Sequence, residues 1–468
     1  MKEKRIEISL SALLTMSALV AVFPCHAEAA PIGYVFTPVA FLGDPAPGIA
    51  GGTFVNDFEP GGLNNKGDIA FGADVSTGGE GVFLKRNRRL IAELGRSNAE
   101  APGGGTFDFS FLGPVGLNDR GDVVFNFLLQ PFGAPFGVNG GAYRYSHVTG
   151  EVTPVVVPFA TPAPDGGTFQ GVSFQPTIDD RGADVFAGII ETDAGVEDTG
   201  LGVGIFRASA SGLIANVVVP GDPAPGGGTF DYAVEPWVND WRDVSFIGHI
   251  AGEESTIPGF PPQSEFISAL GGLYVKNAVT GRIRTIVHAN ETAAPGGGTF
   301  RQVFHDVMNN RGEIAFNGDL TPAPAANEKI GVFLYSCGRI IAVARPGDPL
   351  PGGGTLVNAS LINGNVHLNN RGEVAFGGVV NSDVDQDGND DTGLFVWSKG
   401  KLSLVARTGT NIPGVGTVDE LASPQLIFPP APIANTTSGA INNDRGQIAF
   451  QVTLTDGRGA FLLATPSH

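Results

Sequence analysis

Ala101–Phe125 reads APGGGTFDFSFLGPVGLNDRGDVVF. A Pro/Gly-rich connection enters through Gly-Thr-Phe, passes a short apolar run, and reaches Asn118-Asp119-Arg120-Gly121 before Val123-Val124-Phe125. An Asn that opens a turn bonds back to its own backbone, and Gly in fourth place accepts positive φ without steric cost. That pairing suits a hairpin built on a type I turn closed by a left-handed Gly. Val-Val-Phe is β-branched and aromatic, as a half-buried strand requires. The stretch predicts a β-hairpin.

Versions of the phrase run through the whole chain. Gly-Thr-Phe or a variant enters at Thr53, Thr106, Thr168, Thr229, Thr299, Thr355 and Thr417. Seven turns answer these entries: Asn64–Gly67, Asn118–Gly121, Asp179–Gly182, Asn239–Arg242, Asn309–Gly312, Asn369–Gly372 and Asn442–Gly446. The third opens with Asp, the fourth loses its Gly, and the seventh reads as carrying one extra residue. Each leads to a strand ending in Phe71, Phe125, Phe186, Phe246, Phe316, Phe376 or Phe450. A third strand follows, such as Gly81-Val-Phe-Leu84, and in most copies a fourth, such as Ile340-Ile-Ala-Val-Ala344. A linker of the type Gly221-Asp-Pro-Ala-Pro-Gly226 then leads to the next entry.

Four short antiparallel strands repeated seven times predict an all-β, seven-bladed β-propeller. The seventh copy stops after its third strand, Gly459–Leu463, whereas Val35–Phe41 precedes the first linker as an orphan fourth strand. Pairing the two closes the ring without a free sheet edge. The domain layout is a leader over 1–29 and one propeller over 30–468.

Gly 69 and Pro 34 fall at fixed places between apolar runs, so they punctuate strands rather than mark disorder. Met1–Ala29 looks like a secretory leader, with Lys2–Arg5, an apolar run near Ala12–Phe23, and Ala27-Glu-Ala29 as the cleavage site. No later segment is long and apolar enough to span a membrane. The expectation is a secreted monomer, extracellular or periplasmic. The net charge of −19 argues against nucleic acid and anionic membranes as partners, and is compatible with cations or neutral ligands. Cys337, in a turn between strands, has no partner for a disulfide once Cys25 leaves with the leader.

Asn64…Gly67…Ala70-Phe71, Asn309…Gly312…Ala315-Phe316 and Asn369…Gly372…Ala375-Phe376 resemble the bacterial NxxGxxAF tandem-repeat family, and Asn118…Gly121…Val124-Phe125 matches with Val for Ala. The resemblance covers nearly the whole chain after the leader. It implies an exported protein, and it brings no catalytic residues with it. The chain departs from the family in lacking an evident C-terminal anchor.

Asp383-Val-Asp385-Gln-Asp387-Gly388-Asn389-Asp390-Asp391 stands apart from the repeat. Asp at positions 1, 3, 5 and 9 with Gly at 6 resembles the calcium hairpin loops of the integrin α-subunit propeller. Calcium takes six to eight oxygens, and alternating Asp turns several carboxylates inward while Gly permits the bend. Asp383, Asp385, Asp387, the Asn389 carbonyl and Asp391, the last as a bidentate ligand, are the expected metal ligands for one structural Ca2+. The competing reading is a solvated acidic loop. Glu191–Asp198 is a weaker second acidic loop.

Enzyme motifs are absent: there is no Gly-x-Ser-x-Gly elbow, P-loop or dinucleotide fingerprint, and no histidines stand at metal-motif spacing. His305 and His367 fall just before turns, where a chance position outweighs a ligand role. The longest variable loops are Gly252–Ser268, with Phe260 and Phe266, and Gln130–Gly140, with Phe132 and Phe136; Asp419–Ser438 is an insertion in the seventh copy. Variable loops on a rigid scaffold suit binding. The function expected is a binding or scaffold module for extracellular polysaccharide or cell-surface protein. The alternative is a propeller-type hydrolase or lyase with its site in the axial funnel. Convergent carboxylates, His or Arg in that funnel would favour the enzyme.

Overall fold

The computed structural model describes residues 33–467 except 78, 87–90, 109–114, 131–139, 193–200, 254–270, 323–329, 360–365 and 422–440. The leader, most of the loops 252–268, 130–140 and 191–198, and most of the insertion 419–438 lie outside the described residues. The described residues are all β, arranged as seven four-stranded antiparallel blades in a ring, a β-propeller. No helix among them is long and apolar enough to cross a membrane.

Blade 1 shows the plan, with Phe54–Leu63 innermost, then Ile69–Val75, Gly79–Lys85 and Ile91–Arg96. Blades 3, 4 and 5 repeat it with unbroken inner strands, Gly171–Ile178, Phe230–Val238 and Thr299–Met308. In blades 2, 6 and 7 the described part of the inner strand comprises two stretches, for example Leu356–Ala359 and Val366–Leu368, both paired with the second strand. Blade 7 is finished by the start of the chain. Gly33–Phe41 pairs antiparallel with Gly459–Ser467, from Gly33↔Ser467 to Phe41↔Ala460.

The repeated aromatics explain why one phrase builds every blade. In blade 1 the entry Phe54 meets Phe83 of the third strand edge-on at 5.1 Å, while Phe71 stacks on Phe83 at 5.6 Å. Phe169, Phe206 and Phe186 repeat the trio in blade 3, and Phe300, Phe333 and Phe316 repeat it in blade 5. Edge-to-face and offset pairs of this kind add about 0.5–1.5 kcal/mol beyond burial. Gly188 and Gly318 face the entry Phe so closely that a Cβ would lie 2.7 Å from the ring. Each Pro/Gly linker closes as a tight hairpin onto its own entry, as in the bridge Pro223↔Thr229.

The turns carry the expected geometry. Asn64 Oδ1 accepts from the N–H groups of Lys66 and Asp68, at 3.0 and 2.9 Å, and Gly67 sits at φ 85°. The seventh turn differs from the sequence reading. Asn443 plays the opening role, its Oδ1 accepting from Arg445 and Gln447, so Asn443–Gly446 has the ordinary length and Asn442 ends the strand Ile441–Asn442. In the fourth turn Arg242 takes the place of Gly and is held at φ 67°.

Candidate functional site

The hairpin turns converge on the axis. In six of the seven blades the first turn residue donates its side-chain amide to the backbone carbonyl of its counterpart in the next blade. Asn64 Nδ2 reaches Asn118 O at 3.1 Å, Asn118 reaches Asp179 O at 3.0 Å, and Asn309 reaches Asn369 O at 3.0 Å. Asn443 reaches Asn64 O at 2.9 Å and completes the circle. The circle lacks one bond, because Asp179 has no amide hydrogen to donate. Its Oδ2 is approached instead by Arg242 Nε, at 3.4 Å. The two departures from the repeat, Asp for Asn and Arg for Gly, therefore meet.

A second circle has no gap. The N–H of the second turn residue donates to the side-chain Oδ1 of the next blade's second turn residue, through Asn65, Asp119, Asp180, Asp240, Asn310, Asn370 and Asp444, at 2.6–2.9 Å. Asn or Asp at this position in all seven copies was visible in the sequence, but its inter-blade role was not. Asn65 Nδ2 also links Asp119 to Asp444, at 2.8 and 2.9 Å. Burial pushes Asp180 up to about 6, against the Asp119 N–H, with Asp240 and Asp119 adding to the rise.

Inside this double ring lies an axial cavity of about 160 Å3, lined by Gly61, Gly62, Gly116, Thr177, Leu368 and other inner-strand residues. It has room for on the order of ten waters. Trp237 of blade 4 and His367 of blade 6 meet edge-on at 5.6 Å and narrow it. His367 Nδ1 lies 2.9 Å from Asn442 Oδ1, and burial lowers its pKa. His367 thus lines the cavity, a position that its place before a turn did not reveal. On the inner strand of blade 5, Asp306 is buried, and burial pushes it up to about 8, Ser245 opposing the rise and Glu235 adding to it.

The acidic loop bridges Val374–Val380 and Asp391–Ser398. It brings Asp383, Asp385 and Asp387 together, with carboxylate oxygens within 4.8 Å of one another, all exposed. Gly388 bends the loop at φ 88°, and Asn389 donates its N–H to Asp387 Oδ1 and its side-chain amide to Oδ2, both at 2.8 Å. Asp391 lines one hollow with Asp385 and Asp387 and is hydrogen-bonded at both oxygens. Its Oδ1 accepts from Val384 N–H at 3.1 Å, and its Oδ2 accepts from Ser382 Oγ at 2.5 Å and Arg407 Nη2 at 2.7 Å. It anchors the base of the loop. Asp419 and Glu420 of blade 7 line the same hollow of about 70 Å3 with Asp385, Asp387, Asn389, Asp390, Asp391 and Thr408. Partial burial and the charges of Asp387, Asp391 and Asp383 raise the pKa of Asp385; burial, then Asp419, Asp387 and Asp385, raise that of Glu420. The sequence showed Asp419-Glu420 only as the start of an insertion. Two blades contribute carboxylates to one hollow.

The chain belongs to a family of unknown function (DUF7453), matched over residues 36–465. Among curated proteins no sequence matches it. Among solved structures it is similar to a puromycin hydrolase, with TM-score 0.47 and 12% identity over 85% of this chain and 50% of the hydrolase. It is also similar to an acylaminoacyl peptidase of Pyrococcus horikoshii, with TM-score 0.42 and 10% identity over 86% of this chain and 50% of the peptidase. A third is an ulvan lyase, a polysaccharide lyase, with TM-score 0.43 and 10% identity over 89% of this chain and 96% of the lyase. The chain spans about half the length of the hydrolase and of the peptidase.

Proposed function

We propose that the protein is a secreted, calcium-stabilised β-propeller acting as a monomeric binding or scaffold module for extracellular polysaccharide or cell-surface protein. The observation that carries this reading is the double ring at the axial mouth. Asp119, Asp180, Asp240 and Asp444 each hold the preceding blade's N–H, so these carboxylates serve inter-blade rigidity before chemistry. A rigid ring presenting polar side chains suits recognition.

The calcium assignment rests on Asp383, Asp385 and Asp387, whose clustered oxygens fit a cation that prefers oxygen ligands. Asp419 and Glu420 would add ligands from the neighbouring blade, so the ion would cross-link blades 6 and 7. Asp391, which lines the same hollow, and the Asn389 carbonyl would complete the set, Asp391 also tying the loop to Arg407.

A second reading, a hydrolase or lyase with its site in the axial funnel, has Asp180 in its favour, since a carboxyl pushed up to about 6 beside Asp119 and Asp240 could exchange protons near neutrality. It is the weaker reading because Asp180 Oδ1 is committed to Asp119 N–H. The two are separated by a pull-down from extracellular-polymer and cell-surface fractions, with and without calcium, followed by an assay for product. Retention without turnover supports the module; turnover overturns it.

A further inference from the structure

The third turn position of the seven blades is exposed throughout, and six of the seven residues there are cations: Lys66, Arg120, Arg181, Arg311, Arg371 and Arg445. The seventh is Trp241, 64% exposed. On a chain of net charge −19 with 28 Lys and Arg, this is a local reversal of sign, a basic ring around the axial mouth. In an antiparallel four-stranded blade it lies at the end opposite the acidic loop.

The cations are not equivalent. Arg311 is neutralised by Glu313 and Arg371 by Glu373, and Lys66 Nζ is turned onto Arg120 O at 3.0 Å. Arg120, Arg181 and Arg445 make no ion pair among the described residues; Arg120 and Arg181 stand on the adjacent turns of blades 2 and 3, next to Trp241, and Arg445 on that of blade 7. Trp241, on the turn of blade 4, is held in place by its indole N–H, which donates to Asn310 O at 2.9 Å. Between them Asp180 Oδ2 is the ring carboxylate oxygen that receives no hydrogen bond among the described residues. Two guanidinium groups outside any ion pair, Arg120 within electrostatic reach of Asp180, therefore stand with a fixed and exposed indole and an open oxygen acceptor on three successive turns of a hydrogen-bonded ring.

We infer that the turns of blades 2–4 form the polysaccharide-contacting surface, and that its ligand is an anionic polysaccharide. This rests on the binding-module reading and specifies the ligand class and the face. Guanidinium groups pair with carboxylate or sulfate in fixed fork geometry. Asp180 Oδ2 accepts a sugar hydroxyl, and the indole offers a flat apolar face to a sugar ring. The acceptor disfavours duplex nucleic acid, whose backbone phosphates offer no hydroxyl donors to Asp180.

The test measures binding of the full chain to polygalacturonate, neutral dextran and duplex DNA across a salt series, alongside the thermal midpoint. Polygalacturonate should bind, and increasing salt should weaken it in proportion to the anionic groups neutralised. R120E/R181E should lose at least tenfold in affinity with an unchanged midpoint, and R120Q/R181Q should also lose affinity and show a shallower salt slope. Trp241→Ala should lose several-fold with the salt slope unchanged. If polygalacturonate binds and both double variants bind equally well, this surface is wrong while the module reading stands. Binding of dextran alone refutes the anionic ligand only, and binding of no polysaccharide removes the ligand class together with that half of the module reading. DNA bound as tightly as polygalacturonate overturns the choice of occupant.

Discussion

Asn443 Nδ2 donates to Asn64 O at 2.9 Å, joining residues 379 apart in sequence. The bond carries the axial circle from the last blade to the first, beside the outer seal in which Gly33–Phe41 pairs with Gly459–Ser467. The ring is thus closed twice, once at the axis and once at the rim.

Asn443→Ala removes this donor and also the Oδ1 that receives the Arg445 and Gln447 N–H groups. Leaving buried partners unsatisfied costs about 1–3 kcal/mol. Denaturant unfolding should show a loss of that size, with Asn443→Asp, which keeps Oδ1, losing less. An unchanged midpoint for Asn443→Ala would show that the axial circle contributes nothing.

Asp179 and Arg242 should behave as a coupled pair. Arg242→Gly alone relieves a left-handed backbone but strips the buried Asp179 carboxylate of its cation, so it should destabilise. Asp179→Asn restores the missing amide donor toward blade 4. The double substitution recreates the ordinary repeat and should exceed the sum of the single effects by about 1–2 kcal/mol. Additivity in the cycle would contradict the pairing.

Stability should fall as pH rises through the range set by Asp306. Its folded pKa is raised to about 8 from 3.8, so the folded state holds a proton that the unfolded chain releases. The neutral form is at no disadvantage below about pH 4; the cost of ionisation grows between about 4 and 8 and then levels off. Asp306→Asn should flatten that slope and stabilise at pH 8 by on the order of 1–3 kcal/mol. The reading fails if the variant follows the same pH curve as the parent.

Calcium should raise the thermal midpoint and chelator should lower it. At about one hundred times Kd a ligand adds about 2.7 kcal/mol, a few degrees for a protein of this size. Asp385→Ala with Asp387→Ala should abolish the shift, and Asp419→Ala with Glu420→Ala should weaken it. A midpoint indifferent to chelator, with no metal by elemental analysis, removes the ion from the account.

The fold was legible because one blade is a local unit whose aromatic trio and turn recur in phase, down to Phe71, Phe83 and Gly67. The orphan strand at the start of the chain was legible for the same reason. What stayed hidden is contact between blades. Asn65 and Asp119 look like ordinary turn residues until the ring brings them within 2.6 Å. Arg242 and Asp179, or Asp419 and Asp385, are far apart in sequence and share no local pattern. Asp391 fitted the calcium spacing, but spacing could not show that its Oδ2 also pairs with Arg407.

Recognition without chemistry can be checked in one sample assayed twice. The full chain, in calcium, is incubated with polygalacturonate; bound protein is measured by co-sedimentation, and new reducing or unsaturated ends are measured in the same tube. Saturable binding with no new ends above the protein-free control is the expected result. Ends that accumulate in proportion to protein and time would contradict it.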